Sequence, residues 1–309
     1  MSRSLPPGGS STRSTSSSLH ILALCPEAVI LGRHLAKALG GMLHAHASAA
    51  PRGTRHFTAI GERLTELWPN ASGLVVLAPC GVVTRCLAPL VQSKYRDPAV
   101  VCCDALGRWA ISLLSGHEGG ANDLALRVAN AIAAEPVITT TSEAVRDHIV
   151  GVGCRRGAAA ADIQAAIRTA LRRAGVARQR VRLLASAELK CDEAGLLEAA
   201  QALGLALRFI THDEIRACAK AHAITTTAQR RLDLPAVAEP CALLAGRRTT
   251  LCLTRQVIRG VTVAIAREAS CASASGRDTG SIVRIAQKRR SLARTSSSAT
   301  CPTLKASPT

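Results

Sequence analysis

Gly73-Leu74-Val75-Val76-Leu77-Ala78 is apolar without a break and stops at Pro79-Cys80-Gly81. A strand with one wet face alternates polar and apolar residues. A run that is apolar throughout suits a strand covered on both faces, as in parallel sheets flanked by helices. Comparable runs recur at 19–24, 98–103, 109–114 and 136–141. Between the first two runs, Val29, Leu31, Leu35 and Leu39 fall at helical spacing and end at Gly40-Gly41. The second half repeats the pattern, with strands expected at 148–153, 181–185, 207–211, 251–253 and 261–265. Helices are expected there at 159–174, 196–203 and 236–244. This alternation predicts βαβ units. The fold class is α/β, with two α/β domains built on mostly parallel sheets. The N-terminal domain covers 19–147 and the C-terminal domain 148–268. The Ser/Thr/Ala/Arg-rich segments 1–18 and 269–309 are expected to be disordered tails.

Apolar residues make up 48% of the 309-residue chain, but aromatic residues only 2%. The core must therefore come from Ala, Leu, Val and Ile, and few rings are available on which nucleic-acid bases could stack. The net charge is +18. Residues 271–309 carry +6 of it and residues 1–18 another +2, leaving +10 for the body. That distribution fits a small polyanionic ligand as well as nucleic acid, and nucleic acid is not the expected partner. No apolar run has the length of a membrane span. The Ser-rich start lacks an apolar signal core, so a cytoplasmic protein with no membrane partner is expected. The 12 cysteines include no C-x-x-C pair. Most are read as small buried hydrophobes, and no protein metal site is expected. His44-x-His46 supplies only two ligands, too few for a site.

The most informative loop for chemistry is Ser115-Gly116-His117-Glu118-Gly119-Gly120-Ala121-Asn122, between the apolar run 109–114 and an alanine-rich helix. Its glycines permit a tight turn, and the helix start offers N–H groups to an anion or oxyanion. It is neither G-x-G-x-x-G nor a P-loop. A second strand-to-helix turn, Pro79-Cys80-Gly81, places Arg85 where it could pair with a carboxylate. Thr139 and Thr140 supply hydroxyls at a strand end, or alternatively cap a helix before Glu143. Gly153-Cys154-Arg155-Arg156-Gly157 is a basic turn of the same kind, and Cys154 could be an activated thiol there.

With these features in place, the chain resembles the cobalt-precorrin-5A hydrolases of anaerobic cobalamin biosynthesis. The resemblance rests first on Leu87-Ala88-Pro89-Leu90, Asp97-Pro98-Ala99-Val100-Val101 and Pro136-Val137-Ile138-Thr139-Thr140. Its most specific string is Leu113-Leu114-Ser115-Gly116-His117 followed by Gly119-Gly120-Ala121-Asn122. In the second half it continues through Gly151-Val152-Gly153-Cys154-Arg155-Arg156-Gly157, Leu189-Lys190, Glu193-Ala194-Gly195-Leu196, Ala238-Glu239 and Val261-Thr262-Val263-Ala264. The resemblance implies hydrolysis of a lactone on a cobalt-tetrapyrrole and expulsion of acetaldehyde. His117 is the implied base. Gly81, Arg85, Ser115, Gly116, Gly119, Gly120, Ala121, Asn122, Thr139, Thr140, Cys154, Arg155, Arg156, Gly157 and Glu239 are the implied substrate-binding residues. The amides of Gly119, Gly120 and Ala121 are the implied oxyanion donors. Cobalt arrives inside the substrate, so no cofactor is implied. Other cobalamin-pathway enzymes, such as precorrin methyltransferases, are the implied protein partners. This sequence departs from the family pattern in one large respect: a middle domain is absent, and only 141–149 joins the two halves. A non-catalytic carrier of corrin intermediates therefore stands as the alternative. Ala158 and Ala159 also replace the capping hydroxyls of the following helix, a loss of about 1 kcal/mol.

Overall fold

The computed structural model describes residues 18–51, 54–222 and 237–269. The expected tails lie outside the described residues except for Ser18 and Ala269. The chain divides into two compact units, 1–138 and 139–309.

The first unit holds seven strands. They are β1 Ser18–Ala23, β2 Met42–His46, β3 Arg55–Phe57, β4 Ala71–Leu77, β5 Ala99–Cys103, β6 Trp109–Leu114 and β7 Glu135–Val137, in the spatial order β3-β2-β1-β4-β5-β6-β7. The unbroken apolar run at 73–78 supplies most of the central strand β4, whose last five residues are buried. All pairings in this sheet are parallel except β5 with β6. The exception follows from chain length. The link between β5 and β6 spans only 104–108, too short for the crossover a parallel pair needs. Asp104 closes this turn by accepting the amides of Arg108 at 2.7 Å and Trp109 at 3.0 Å.

Helices cover both faces of the sheet. Helix α1 (Pro26–Leu39) starts with Pro26 and ends at Gly40 in the left-handed region, φ 71°. With α4 (Ala121–Ile132) it buries Ala28, Val29, Leu35, Leu124, Ala125 and Val128 against Ile21, Val75 and Val101. Helices α2 (Ile60–Leu67) and α3 (Cys80–Leu87) cover the other face with Leu64, Val83 and Leu87. On that face, His44 lies in β2, not in the loop that histidines usually favour. His20 and His44 are 5% and 3% exposed, and their rings share a hydrogen bond at 3.0 Å. His20 also bonds Ser18 Oγ at 2.9 Å.

The second unit opens with the short helix α5 (Thr141–Ala144). Its sheet comprises β8 His148–Gly153, β9 Val181–Ala187, β10 Ala206–Ile210, β11 Thr249–Ile258 and β12 Val261–Glu268, ordered β10-β9-β8-β12-β11. Here β8, β9 and β10 are mutually parallel, and the hairpin β11–β12 joins antiparallel to β8. Helices α6 (Ala160–Ala174) and α7 (Ala194–Leu203) bury Ile163, Ile167, Leu196 and Ala199 on one face. Helix α6 is capped by Ala159 with no side-chain bond, as the missing hydroxyls predict. Helices α8 (His212–His222) and α9 (Ala238–Leu244) complete the unit. A Cβ on Gly151 would lie 1.9 Å from the Ala238 carbonyl oxygen, so only glycine lets α9 sit this close to β8.

Four of the ten described cysteines are buried: Cys102, Cys103, Cys218 and Cys241. The others are half-buried or exposed, which corrects the expectation that most are core residues. Cys191 and Cys252 are exposed, Cys252 because β11 is an edge strand. Cys271 and Cys301 lie outside the described residues.

Candidate functional site

The glycine loop between β6 and α4 is wound around one carbonyl group. Ser115 turns into the left-handed region at φ 57°, an uncommon conformation for a residue with a side chain. Its carbonyl accepts the amides of both Gly119 and Ala121 at 3.1 Å, while Asn122 N donates to Gly116 O at 2.9 Å. The two downstream glycines serve different ends. A Cβ on Gly119 would meet Ser115 Cβ at 2.4 Å and Ser115 O at 2.9 Å. Gly120 has open space around it but sits at φ 84°, where side chains are strained.

This geometry corrects the expected donor set. The amides of Gly119 and Ala121 shape the loop and do not face a ligand. Gly120 N–H bonds nothing among the described residues. Ser115 is 6% exposed, and its hydroxyl is buried with no hydrogen-bond partner among them. Asn122 Oδ1 accepts the Ser112 hydroxyl at 2.8 Å and so is turned partly inward. His117 stands exposed at the tip. Beside it, Glu118 pairs with Lys94 at 2.6 Å, and Lys94 with the loop's own amide holds the Glu118 carboxyl below its usual range. The segment carrying Lys94 is folded by Asp97, which accepts the amides of Gln92 and Ser93 at 3.0 Å. The sequence reading missed Lys94 because its partner is 24 residues away and no spacing rule links them.

Strand directions separate two segments expected to work together. Gly81 and Arg85 follow β4, which runs parallel to β5, whereas the glycine loop follows β6, which runs against it. Leu114 pairs with Val100 at the start of β5, and Ala110 with Cys103 at its end. The two segments therefore sit at opposite ends of the first sheet, roughly 15–20 Å apart at 3.3 Å per strand residue. Arg85 turns back on its own helix, donating to Gly81 O at 3.1 Å. Strand β7, parallel to β6, ends at the glycine-loop end, and the first unit closes at Ile138. Thr139 and Thr140 open the second unit. Thr140 caps α5 through its backbone, with no side-chain cap bond.

In the second unit, Cys154, Arg155, Arg156 and Gly157 form the turn from β8 to α6. Arg155 and Arg156 are exposed and form no ion pair among the described residues. Glu193, 7% exposed, braces the turn from the next connection. Its Oε1 accepts Gly157 N–H at 2.8 Å and its Oε2 meets Lys190 Nζ at 3.2 Å. The Gly157 amide, then Lys190, hold its carboxyl below the ordinary range. Gly195, the second residue of α7, lies so close to the loop that a Cβ would stand 2.0 Å from Ala158 O. Burial pushes the Cys154 thiol up, against the expectation of an activated thiolate. Glu239, on α9, is occupied by the Arg255 amide at 2.8 Å. In sequence Lys190 and Glu193 stood out only within the strings that carry the resemblance, with no role attached to either. Among the described residues no three His, Cys, Asp or Glu side chains group as a metal site. No described helix is long and apolar enough to cross a membrane.

Comparison with known proteins matches residues 62–143 to the family model "Cobalamin synthesis G N-terminal" and 148–266 to "Cobalamin synthesis G C-terminus". A cobalt-precorrin-5A hydrolase of Salmonella typhimurium is 32% identical over 187 residues, which is 58% of this chain and 53% of that protein. A second, from Priestia megaterium, is 48% identical over 80 residues, 26% of this chain and 21% of that protein. The chain thus spans about half the length, or less, of these curated relatives. A solved cobalamin biosynthesis protein, chiG of Agrobacterium tumefaciens, is 43% identical over 40% of this chain and 99% of its own, with a TM-score of 0.33.

Proposed function

The chain belongs to the cobalamin synthesis G family, and from that premise we propose that it hydrolyses the δ-lactone of cobalt-precorrin-5A, releasing acetaldehyde and cobalt-precorrin-5B. The observation that carries this reading is the β6–α4 loop, which combines a left-handed serine, a buried hydroxyl without a partner and an exposed histidine at a helix start. Strained backbone of this kind concentrates at functional sites. His117 takes a proton from water, and the hydroxide attacks the lactone carbonyl. Gly120 N–H is the loop donor left for the oxyanion. Collapse of the tetrahedral intermediate breaks the ring ester bond, giving a carboxylate and a hydroxyl. The same base, its first proton passed to solvent, removes that hydroxyl proton; the adjacent carbon–carbon bond then breaks with its electron pair passing to the macrocycle carbon, which takes up a proton, and the two-carbon unit leaves as acetaldehyde. Arg155 and Arg156, in the second unit, offer exposed guanidinium groups suited to carboxylates by paired hydrogen bonds. Gly81 and Arg85, at the far end of the first sheet, take no part. Cobalt enters as part of the substrate.

Brought together anaerobically with cobalt-precorrin-5A, the purified chain is expected to form acetaldehyde in step with pigment consumed. The second reading, a carrier of corrin intermediates, is favoured by the nine residues 141–149 that alone join the two halves. A shifted pigment spectrum without acetaldehyde would establish the carrier and refute the hydrolase.

The brace on the basic turn makes a separate prediction. Glu193→Ala frees the Gly157 amide and Lys190 and lets the turn move. Pigment affinity, read by absorbance titration, is expected to fall roughly tenfold, the worth of one charge-assisted hydrogen bond. Glu193→Gln keeps an acceptor for the amide and should lose less. Equal affinity in all three proteins would show that the turn does not touch the pigment.

A further inference from the structure

At the end of the first sheet away from the glycine loop, two sulfur atoms meet. Cys80 is the first residue of α3, directly after Pro79, and is half-buried. Cys102 lies in β5 and is 0% exposed. The Cys80 thiol donates to Cys102 Sγ at 3.3 Å, and the Cys102 thiol donates onward to the Ala78 carbonyl at 3.1 Å. This chain of bonds aims the two sulfurs at each other. The neighbouring Cys103 cannot substitute, since successive strand residues face opposite ways. Cys102 packs in the cluster beneath α3, and Cys103 in the cluster beneath α1 and α4.

We propose that Cys80 and Cys102 are a peroxide-responsive dithiol that closes to a reversible disulfide. Cys80, the half-buried partner, meets the oxidant. Its sulfur attacks one peroxide oxygen, the O–O bond breaks, and a sulfenic acid and one water result. The Cys102 sulfur then attacks the Cys80 sulfur and the S–O bond breaks. The leaving hydroxide takes up the Cys102 thiol proton as a second water. Two thiols have lost two electrons and one hydrogen peroxide has become two waters. A disulfide needs the sulfurs about 2.05 Å apart, so they approach by roughly 1.2 Å. Cys80 can move that far because it sits at the free start of a two-turn helix, whereas Cys102 is fixed inside β5. Burial holds the Cys102 thiol protonated and makes closure the slow step. The bond ties the first turn of α3 to β5. This proposal is independent of the lactonase reading, because its readout is chemical and uses no pigment.

The experiment treats the reduced full-length chain with an equivalent of hydrogen peroxide, quenches with acid, alkylates and digests it for mass spectrometry. The expected product links the peptides of Cys80 and Cys102, with a mass lower by two hydrogens, and dithiothreitol restores alkylation at both. Cys80→Ser should leave Cys102 fully alkylated after the same treatment, and Cys102→Ala should leave Cys80 as a sulfenic or sulfinic acid. Three outcomes overturn the proposal: Cys80 over-oxidised without a link in the unmodified protein, Cys80 linked to a different cysteine, or both thiols intact when exposed Cys191 and Cys252 have reacted.

Discussion

Replacing His117 by alanine is expected to slow acetaldehyde release by about 10²–10⁴-fold, the usual contribution of a positioned general base, while pigment binding stays within a factor of about two. The argument for so large an effect on rate without loss of structure lies in the loop. Its shape is set by Ser115 O accepting two amides, by the contact of Gly119 with Ser115 and by the φ of Gly120. None of these involves the imidazole, which is exposed and makes no hydrogen bond among the described residues. A histidine that only shaped the loop would bond a nearby carbonyl, as His34 does with Ala131 O at 2.9 Å. Thermal unfolding of the variant should match that of the unmodified protein, so a lost rate reads as lost chemistry. Full acetaldehyde release by the alanine variant would remove His117 from the mechanism.

Acidification is expected to destabilise the first unit by about 3 kcal/mol between pH 6.5 and 4 through the buried histidine pair. Burial, then the neighbouring His20, pull His44 down from 6.5 to about 4, and burial also lowers His20, with Arg55 and Arg63 adding to both. Both rings stay neutral in the folded protein at pH values where the unfolded chain already protonates them. The unfolded state therefore binds more protons, and stability falls with pH through this window. The contribution is complete above pH 6.5 and gone by about pH 4, where the folded ring also charges. Asp147, in the second unit, loses its own contribution mainly below pH 4. Burial alone would raise its carboxyl, but Arg180 and Arg267 outweigh burial and hold it at about 2. Urea unfolding at closely spaced pH values measures the slope, and His20→Leu/His44→Leu should flatten it. An unchanged slope in the double variant would assign the acid sensitivity elsewhere.

The sequence showed β4 and β5 clearly because a strand buried on both faces has no polar position to confuse it. It hid β2, where Met42-Leu43-His44-Ala45-His46 breaks the apolar pattern with two histidines: His44 is buried against His20, whereas His46 is half-buried and bonds Ser48 and the Thr58 carbonyl. The reversal at β6 was written in the short link 104–108, yet its consequence for Gly81 and Arg85 appears only once strand directions are traced. At the glycine loop, the need for Gly119 and Gly120 was readable. The use of the Gly119 and Ala121 amides was not, since it depends on where Ser115 points its carbonyl. Lys94 and Glu193 act across the chain, on Glu118 and Gly157, and periodicity carries no trace of such pairs.

The reversal of β6 and β7 gives the first sheet two working rims in place of one. Loops at either rim can change without disturbing the other, because a rigid slab of β-structure stands between them. A fold arranged this way is free to keep its chemistry at one rim while the opposite rim acquires a second duty, and the sulfur pair shows where such a duty would sit.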